Sequence, residues 1–435
     1  MTRVKDIITD IYNKFIQKVK EIFTSKRKLR VAILLIILLL ADIILGLISR
    51  HIIGLMPEQH EASRWSDDGK SAQVSVFFSE DQAITEDSIK RLVYEIDQKL
   101  VEAGVTNNDA DDEIDKKDSP SNIIDTQPLG QEEEKDQEEP KEEDTGISSL
   151  YTTCYSAQGY VDISFENRKA EKVKTIGIGG DFFLFHPLEL VRGAYISGDD
   201  LMKDGIIVDE DLAWNLFGSI DIVGQQVTID DIPHYVKGVV KRPGGRMNKA
   251  AGLSESYAYI SLDSLAKYGT ILSGRTQEEA EEEGAYTSGL TGGINCFEIV
   301  CPSPVEGIAA KAVKESTGLD DAHVTVIDNT TRFKNLSLAK IIFKVGTRSM
   351  WDKAIFYPYW ENIARGYEDI LAMLLFVRFL CVATIVIIIA VLIVKAYKNK
   401  KWNLELIINK LSDMKYDFDV KRKMKKDSKV KESGE

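Results

Sequence analysis

Two long apolar runs dominate the pattern of hydrophobic and polar positions along the chain. Residues 31–49 (VAILLIILLLADIILGLIS) and residues 370–394 (ILAMLLFVRFLCVATIVIIIAVLIV) each carry a single charged side chain. A helix rises about 1.5 Å per residue, so even the shorter run reaches roughly 28 Å, which spans a bilayer core. The pattern predicts two transmembrane helices. We interpret the first as an uncleaved anchor and not as a signal peptide, because no small-x-small cleavage site follows it.

Basic residues predict the direction in which these helices cross the membrane. Nine Lys or Arg residues lie in the first thirty positions, and residues 395–435 form a lysine-rich tail after the second run. Lys and Arg are enriched on the cytoplasmic side of membrane helices. We therefore expect a multi-pass protein of the cell membrane, with both termini in the cytoplasm and residues 50–369 in an extracytoplasmic domain.

Each apolar run contains one ionisable residue, and the two lie at similar depths. Asp42 is seven residues inside the end of the first run, and Arg378 is eight residues inside the start of the second. These spacings correspond to about 10 Å and 12 Å. A charge at that depth is costly, so we expect the two side chains to pair within the outer leaflet. The alternative is that Arg378 extends to the headgroups while Asp42 faces another subunit.

Apolar residues also recur at helical spacing ahead of the first run. Ile8, Tyr12, Phe15 and Val19 fall on one face of a helix within residues 1–30, and lysines lie mainly off that face. This pattern predicts an amphipathic helix that lies in the inner membrane interface or docks on a cytoplasmic partner. A simple membrane anchor is the alternative interpretation.

Between the two runs, the pattern changes from strand to helix. Residues 72–79 (AQVSVFFS) alternate as a strand does, and Thr85 can cap a helix that Gly104 ends. Residues 106–147 lack aromatic side chains and have too little apolar surface to offset the entropy of ordering. We therefore predict a β-α-β unit interrupted by an acidic, solvated, disordered insertion.

A second β-α-β unit is visible near the end of the outer domain. Residues 296–301 form a strand, Ser303 is expected to cap a helix that Gly318 ends, and residues 323–327 form the returning strand. The part between the two units, about 187–290, contains short strands and turns. The sequence thus predicts an α+β fold, in which two transmembrane helices flank an extracytoplasmic domain of split, porter-like β-α-β halves with an inserted β-rich subdomain.

The net charge of −14 comes mostly from the insertion. Between Asp109 and Asp144 there are 16 acidic and 4 basic residues, a local net charge of −12. The rest of the chain is close to neutral, so nothing indicates a nucleic-acid surface.

Motifs that carry chemistry are absent from the sequence. There is no phosphate loop of the G-x-x-x-x-G-K-[ST] type and no G-x-S-x-G, and the five histidines show no metal-ligand spacing. We therefore predict no catalytic residue, no cofactor and no metal site, and a protein that is not an enzyme. Cys154, Cys296 and Cys301 lie outside the membrane runs; buried free thiols are the simpler interpretation, and a bridge from Cys154 stays open.

Aromatic residues are concentrated just before the second run. Trp351, Tyr357, Tyr359 and Trp360 could form a stalk or an interfacial aromatic belt. Ordinary packing at the base of the domain explains the same composition.

The segment of residues 206–240 (IIVDEDLAWNLFGSIDIVGQQVTIDDIPHYVKGVV) has a distinctive order of features. An aspartate leads a helix that ends in Leu-Phe-Gly, a glycine begins a strand, and a hairpin returns as Val-x-Gly-Val-Val. This order resembles the MacB-like periplasmic core domain of bacterial ABC transporter permeases of the FtsX/MacB class. The resemblance implies a noncatalytic subunit that couples a cytoplasmic ABC ATPase to movement of its outer domain, with a second permease subunit or a second copy as a further partner.

The chain departs from that family in its number of predicted membrane helices. Family permeases usually have four, three of them after the outer domain, whereas here one follows it. The resemblance therefore implies a reduced permease. The departure favours an alternative, a membrane-anchored extracytoplasmic binding or sensing protein without a transport partner.

Overall fold

The computed structural model describes residues 26–66, 69–79, 82, 84–105, 151–198, 200–272, 287–288, 293–345, 357–398, 416 and 420. The predicted insertion and most of the predicted amphipathic helix and basic tail lie outside these residues. The chain divides into two compact units, Met1–Leu45 with Val377–Glu435 and Gly46–Phe376.

The helices are, in chain order, α1 (Lys26–Gly54), α2 (Glu61–Trp65), α3 (Glu86–Glu102), α4 (Phe182–Phe185), α5 (Glu210–Phe217), α6 (Arg246–Ala250), α7 (Leu262–Tyr268), α8 (Ile308–Thr317), α9 (Asn329–Arg332), α10 (Asn335–Ile341) and α11 (Tyr359–Lys398). Short 3-10 turns occupy Pro57–Gln59 and Ile342–Lys344. The strands are β1 (Ser71–Phe78), β2 (Thr152–Phe165), β3 (Arg168–Gly180), β4 (Glu189–Gly193), β5 (Gly205–Asp209), β6 (Gln226–Ile229), β7 (Ile232–Lys241), β8 (Tyr257–Ser261), β9 (Thr270–Ile271), β10 (Thr287–Ser288), β11 (Cys296–Pro302) and β12 (Val324–Asp328).

Helices α1 and α11 contain the two apolar runs. Both are long and apolar enough to cross a membrane, at 29 and 40 residues, and none of the side chains in their most apolar windows is buried. Apolar surface of this extent is stable when lipid covers it. The prediction of two membrane helices flanking a folded domain is confirmed at this level.

The outer domain is built on one sheet, whose main path runs β12-β1-β11-β2-β3-β8-β5-β7-β4. Strand β1 pairs antiparallel with β11 on one side and with β12 on the other. Strand β2 pairs with the far side of β11. Each β-α-β unit is therefore split by a strand of the other, as in ferredoxin-like folds, which confirms the predicted split halves.

Local sequence signals fix the helices that cover one face of this sheet. Thr85 Oγ1 accepts a hydrogen bond from Ser88 N while Ser88 Oγ accepts one from Thr85 N, so the predicted cap of α3 is confirmed as a capping box. Helix α8, in contrast, begins after Gly307 (φ 86°) and not at Ser303. Ser303 N still donates to Lys70 O, which extends the strand edge past the predicted helix start.

The middle segment has the predicted order of elements. Asp209 Oδ1 accepts a hydrogen bond from Leu212 N (2.8 Å) and caps α5, and Gly218 ends the helix at a φ of 71°. Strands β6 and β7 then form the expected hairpin. Strand β8 pairs in parallel with β3, so this part extends the same sheet instead of forming a separate one.

Candidate functional site

The second face of the sheet is covered by the chain segments that join the outer domain to the membrane runs. The 3-10 turn Pro57–Gln59 follows α1, helix α9 follows the edge strand β12, and the first turns of α11 lie in the interior of the same compact unit. Charged side chains from these segments meet in the interior. We call Arg332, Glu361, Arg365 and Glu368 the base network.

Arg332 is the centre of the base network. Its Nη1 and Nη2 donate to the two carboxylate oxygens of Glu361 at 2.7 and 2.9 Å, and its Nε donates to Glu368 Oε1 at 2.6 Å. Nη1 also lies 3.0 Å from Gln59 Oε1 and 3.4 Å from Asn329 Oδ1. The planar guanidinium thus ties the turn after α1 and helix α9 to two successive turns of α11.

Arg365 completes the charge balance of the network. Its Nε donates to Glu361 Oε1 at 2.6 Å, and its guanidinium carbon lies 3.8 Å from the ring centre of Tyr357. All four network residues are at least 95% buried. Two cations and two anions leave the network neutral, which is the condition for keeping charges out of water.

Mutual pairing fixes the ionisation of the network. Burial raises the pKa of Glu361, but the guanidinium groups of Arg332 and Arg365 outweigh burial and hold that pKa below its usual range. Burial lowers the pKa of Arg332, and the two carboxylates outweigh it and raise that pKa. The charged forms of Glu361 and Arg332 are therefore the stable ones near neutral pH.

Local structure positions Arg332 for this role. Asp328, the last residue of β12, caps α9 by accepting a hydrogen bond from Thr330 N at 3.0 Å. Asn329 Nδ2 donates to Ser75 Oγ on β1 at 2.7 Å. The short helix is thereby held against β1, the strand next to the edge strand β12, with Arg332 at its end.

A second buried polar group adjoins the base network. His186 Nε2 lies 2.5 Å from Glu298 Oε2, and Ser75 Oγ donates to Glu298 Oε1 at 2.5 Å. The His186 ring also packs 4.1 Å from the ring centre of Trp360, in the first turn of α11. Because Ser75 bonds both Glu298 and Asn329, a continuous polar chain links the sheet interior to Arg332.

The structure brings the predicted membrane pair together. Arg378 Nε donates to Asp42 Oδ1 at 3.0 Å, within the unit that contains the apolar parts of α1 and α11. The depth of this ion pair in the lipid and its role in assembly stay predictions.

The other predicted site residues have different outcomes. Ile8, Tyr12, Phe15 and Val19 of the docking face, and Trp351 of the aromatic group, lie outside the described residues. Tyr357, Tyr359 and Trp360 are 2–4% exposed and belong to the core beneath the sheet. These three are therefore packed in the domain interior and do not form an interfacial belt.

Arg332, Gln59, His186 and Glu298 were not predicted as site residues. Arg332 is 273 residues from Gln59 in the chain, and His186 is 112 residues from Glu298. Residues that are so far apart in the chain have no characteristic spacing by which a sequence pattern could reveal their contact. The one available signal was the i,i+4 spacing of Glu361 and Arg365, which is typical of an ion pair on a helix.

Comparison with known proteins relates part of this domain to a known family. Residues 100–289 match the family model described as the MacB-like periplasmic core domain. This span, less than half of the chain, is similar to that family. This match includes the segment 206–240 on which the sequence resemblance rests, and it confirms the resemblance to the FtsX/MacB class.

Two solved structures are similar to this chain at low identity. The extracellular domain of the noncanonic ABC-type transporter YknZ from Gram-positive bacteria is 17% identical, with 40% of this chain and 80% of that chain covered and a TM-score of 0.28. The periplasmic region of MacB from Actinobacillus actinomycetemcomitans is 14% identical, with 63% and 95% covered and a TM-score of 0.31. The comparison with curated proteins gave no match.

The MacB-like domain and the two apolar helices together support a coarse assignment. The chain is a membrane protein with an extracytoplasmic domain, of the kind found in subunits of ABC-type transporters.

Proposed function

We propose that this chain is a noncatalytic, permease-like subunit of an ABC transporter or mechanotransmission complex, which couples a partner ATPase in the cytoplasm to movement of its MacB-like domain. The family match of residues 100–289 supports the class of complex. The base network supports the coupling role, because it joins the outer domain to the helix that continues into the second apolar run.

The continuity of helix α11 is the main support for the proposed coupling role. It runs for 40 residues without a break, about 60 Å, and its first turns are buried beneath the sheet. A displacement of this helix acts directly on Glu361, Arg365 and Glu368. Since Arg332 bonds two of these residues and Gln59, the displacement either carries α9 and the turn after α1 along or breaks buried ion pairs.

The proposed arrangement keeps the boundaries expected from the sequence. Residues 1–30 form the cytoplasmic amphipathic helix, residues 31–49 and 370–394 cross the membrane, residues 50–369 are extracytoplasmic and residues 395–435 are a basic cytoplasmic tail. The face of Ile8, Tyr12, Phe15 and Val19 contacts the ATPase. A second permease subunit or a second copy of this chain contributes further helices, and Asp42 with Arg378 holds the two spans together in lipid.

Purification of the tagged full-length chain from membranes in mild detergent tests the partnership. We expect an ATP-binding subunit to be recovered with the wild-type chain. A Tyr12→Lys/Phe15→Lys variant should stay in the membrane and lose that subunit, because lysines remove the apolar docking face. A Lys14→Ala/Lys18→Ala variant, changed off that face, is the control and should retain it.

Recovery of the chain without any ATP-binding subunit would instead favour the alternative, a membrane-anchored extracytoplasmic binding or sensing protein. The number of membrane helices supports this alternative, since the described residues contain two candidate spans. A protein of that kind should also be unaffected by the Tyr12 and Phe15 substitutions in every assay of its outer domain.

A further inference from the structure

Three metal-binding side chains of different chemistry converge in the interior of the outer domain. Ligand atoms of Cys154, His186 and Glu298 all lie within 4.8 Å of one another, and all three residues are buried. The His186 Nε2 to Glu298 Oε2 distance is 2.5 Å, and Cys154 Sγ is 4.0 Å from the same oxygen. Among the described residues, His186 Nδ1 has no hydrogen-bond partner.

The sheet fixes the relative position of these ligands. Cys154 on β2 and Glu298 on β11 are directly paired in the strand register, and Ser75 on β1 is paired with Glu298 from the other side. His186 follows α4 at its C-terminal end and is 1% exposed. Two ligands therefore come from neighbouring strands, and the third comes from the end of the helix that covers them. This arrangement holds the ligands rigidly and shields them from water.

We propose that Cys154, His186 and Glu298 form a binding site for a divalent transition-metal ion, with zinc as the ion that best fits the three ligands. Thiolate, imidazole and carboxylate are the donors that zinc uses in proteins. Ser75 would remain bonded to the second carboxylate oxygen and hold Glu298 in position, as outer-shell partners of metal ligands do.

Charge balance favours a divalent ion. Burial, the largest cause, and the neighbouring carboxylate of Glu298 raise the pKa of the Cys154 thiol well above its usual range, so the thiol is neutral without metal. A divalent ion that displaces the thiol proton meets one thiolate, one carboxylate and one imidazole, so the two negative ligands balance its charge.

The geometry requires a small adjustment. Bonds of about 2.0 Å to nitrogen and oxygen and about 2.3 Å to sulfur place tetrahedral ligands roughly 3.3 to 3.6 Å apart. His186 Nε2 and Glu298 Oε2, now 2.5 Å apart, must therefore separate by about 1 Å, and Cys154 Sγ, 4.0 Å from that oxygen, must approach it by about 0.5 Å.

Cys301, on the same strand as Glu298, offers a matched comparison with Cys154. It is buried and free like Cys154, but it lies in the apolar cluster on the opposite face of the sheet. A buried thiol as such should therefore bind nothing. The proposal predicts that metal binding requires Cys154 and does not require Cys301.

Metal content of the full-length chain tests the proposal. Wild-type protein and the Cys301→Ala variant, expressed with added zinc and washed free of loose ions, should each contain about one zinc per chain. Cys154→Ser and Glu298→Gln should each contain at least tenfold less, while eluting as folded protein in size-exclusion chromatography. Protein expressed with cobalt should show thiolate-to-cobalt absorption in the near ultraviolet for wild type and Cys301→Ala alone.

Two results would overturn the proposal. One is wild-type protein with less than one tenth of an ion per chain after growth in zinc. The other is metal or cobalt-thiolate absorption that persists in Cys154→Ser. If Cys154→Ser does not fold, Glu298→Gln decides, because a cobalt-thiolate band that persists in Glu298→Gln contradicts the proposed ligand set. The outcome is separate from the proposed ATPase partnership, which this assay does not involve.

Discussion

Replacement of Arg332 by methionine tests the base network most directly. The substitution keeps an apolar stem of similar length and removes three charge-assisted hydrogen bonds to Glu361 and Glu368. Breaking a buried ion pair by deleting one partner costs about 3 to 5 kcal/mol. Globular domains have a free energy of unfolding of about 5 to 15 kcal/mol, so the loss is a large fraction of the total. For a compact unit of the size of Gly46–Phe376 it corresponds to a fall in Tm of about 4 to 7 °C.

The assay is thermal unfolding of the full-length chain in detergent, followed by tryptophan fluorescence. Trp360 is buried one residue before Glu361 and reports on the first turn of α11. Lys334→Met is the control, because Lys334 pairs with Glu306 at 2.7 Å while both side chains are more than half exposed. A surface pair of this kind contributes about 0 to 1 kcal/mol, so the control should hardly change Tm.

A double-mutant cycle separates the ion pair from general damage. Arg332→Met and Glu361→Gln are measured alone and together, and residues that share a network should show a coupling of about 1 to 3 kcal/mol. The reasoning is refuted if Arg332→Met costs less than about 1 kcal/mol or if the two single effects simply add.

Three further predictions concern the membrane pair, the pH response and the orientation. Asp42→Arg and Arg378→Asp should each weaken assembly of the complex, measured by blue native electrophoresis, and the double swap should restore it; no recovery in the swap would count against pairing. Arg332 and Arg365 hold the pKa of Glu361 below its usual value of 4.5, so the stabilising effect of Glu361 is present above about pH 4.5 and is lost as the pH falls through the folded-state pKa. The Tm should therefore fall more steeply between pH 5 and pH 3 in wild type than in Glu361→Gln, and parallel curves would contradict this. Protease added to intact cells should cut within residues 106–147 and leave residues 395–435 intact, whereas the reverse pattern would invert the topology.

Elements with a local physical cause could be predicted from the sequence. The apolar runs, the cap at Thr85 and the cap at Asp209 depend on residues within a few positions, and the structure has all of them. Ser303 shows where local signals fail. It has the residue type of a cap, but its backbone N–H is bonded to Lys70 O in a neighbouring segment, so the helix begins only after Gly307.

Most of the candidate site could not be predicted, because its contacts are distant in the chain. Arg332 looks in sequence like an ordinary surface cation, and only the fold brings Gln59 and Glu361 to it. The aromatic residues show a second limit. Tyr and Trp are common both at membrane interfaces and in domain interiors, so composition alone does not separate the two, whereas the burial of Tyr359 and Trp360 does.

The bonding of Arg332 has a consequence for the stiffness of α11. Its guanidinium donates hydrogen bonds to Glu361 and Glu368. These two residues are seven positions, or about 10 Å, apart on one side of the helix, and Gly366 lies between them. Glycine is the weakest helix former after proline, so this turn is where the rod would bend first. The bonds from Arg332 to Glu361 and Glu368 bridge that turn and oppose its bending. With these bonds the helix transmits a displacement as a rigid rod, and without them we expect the helix to bend at Gly366.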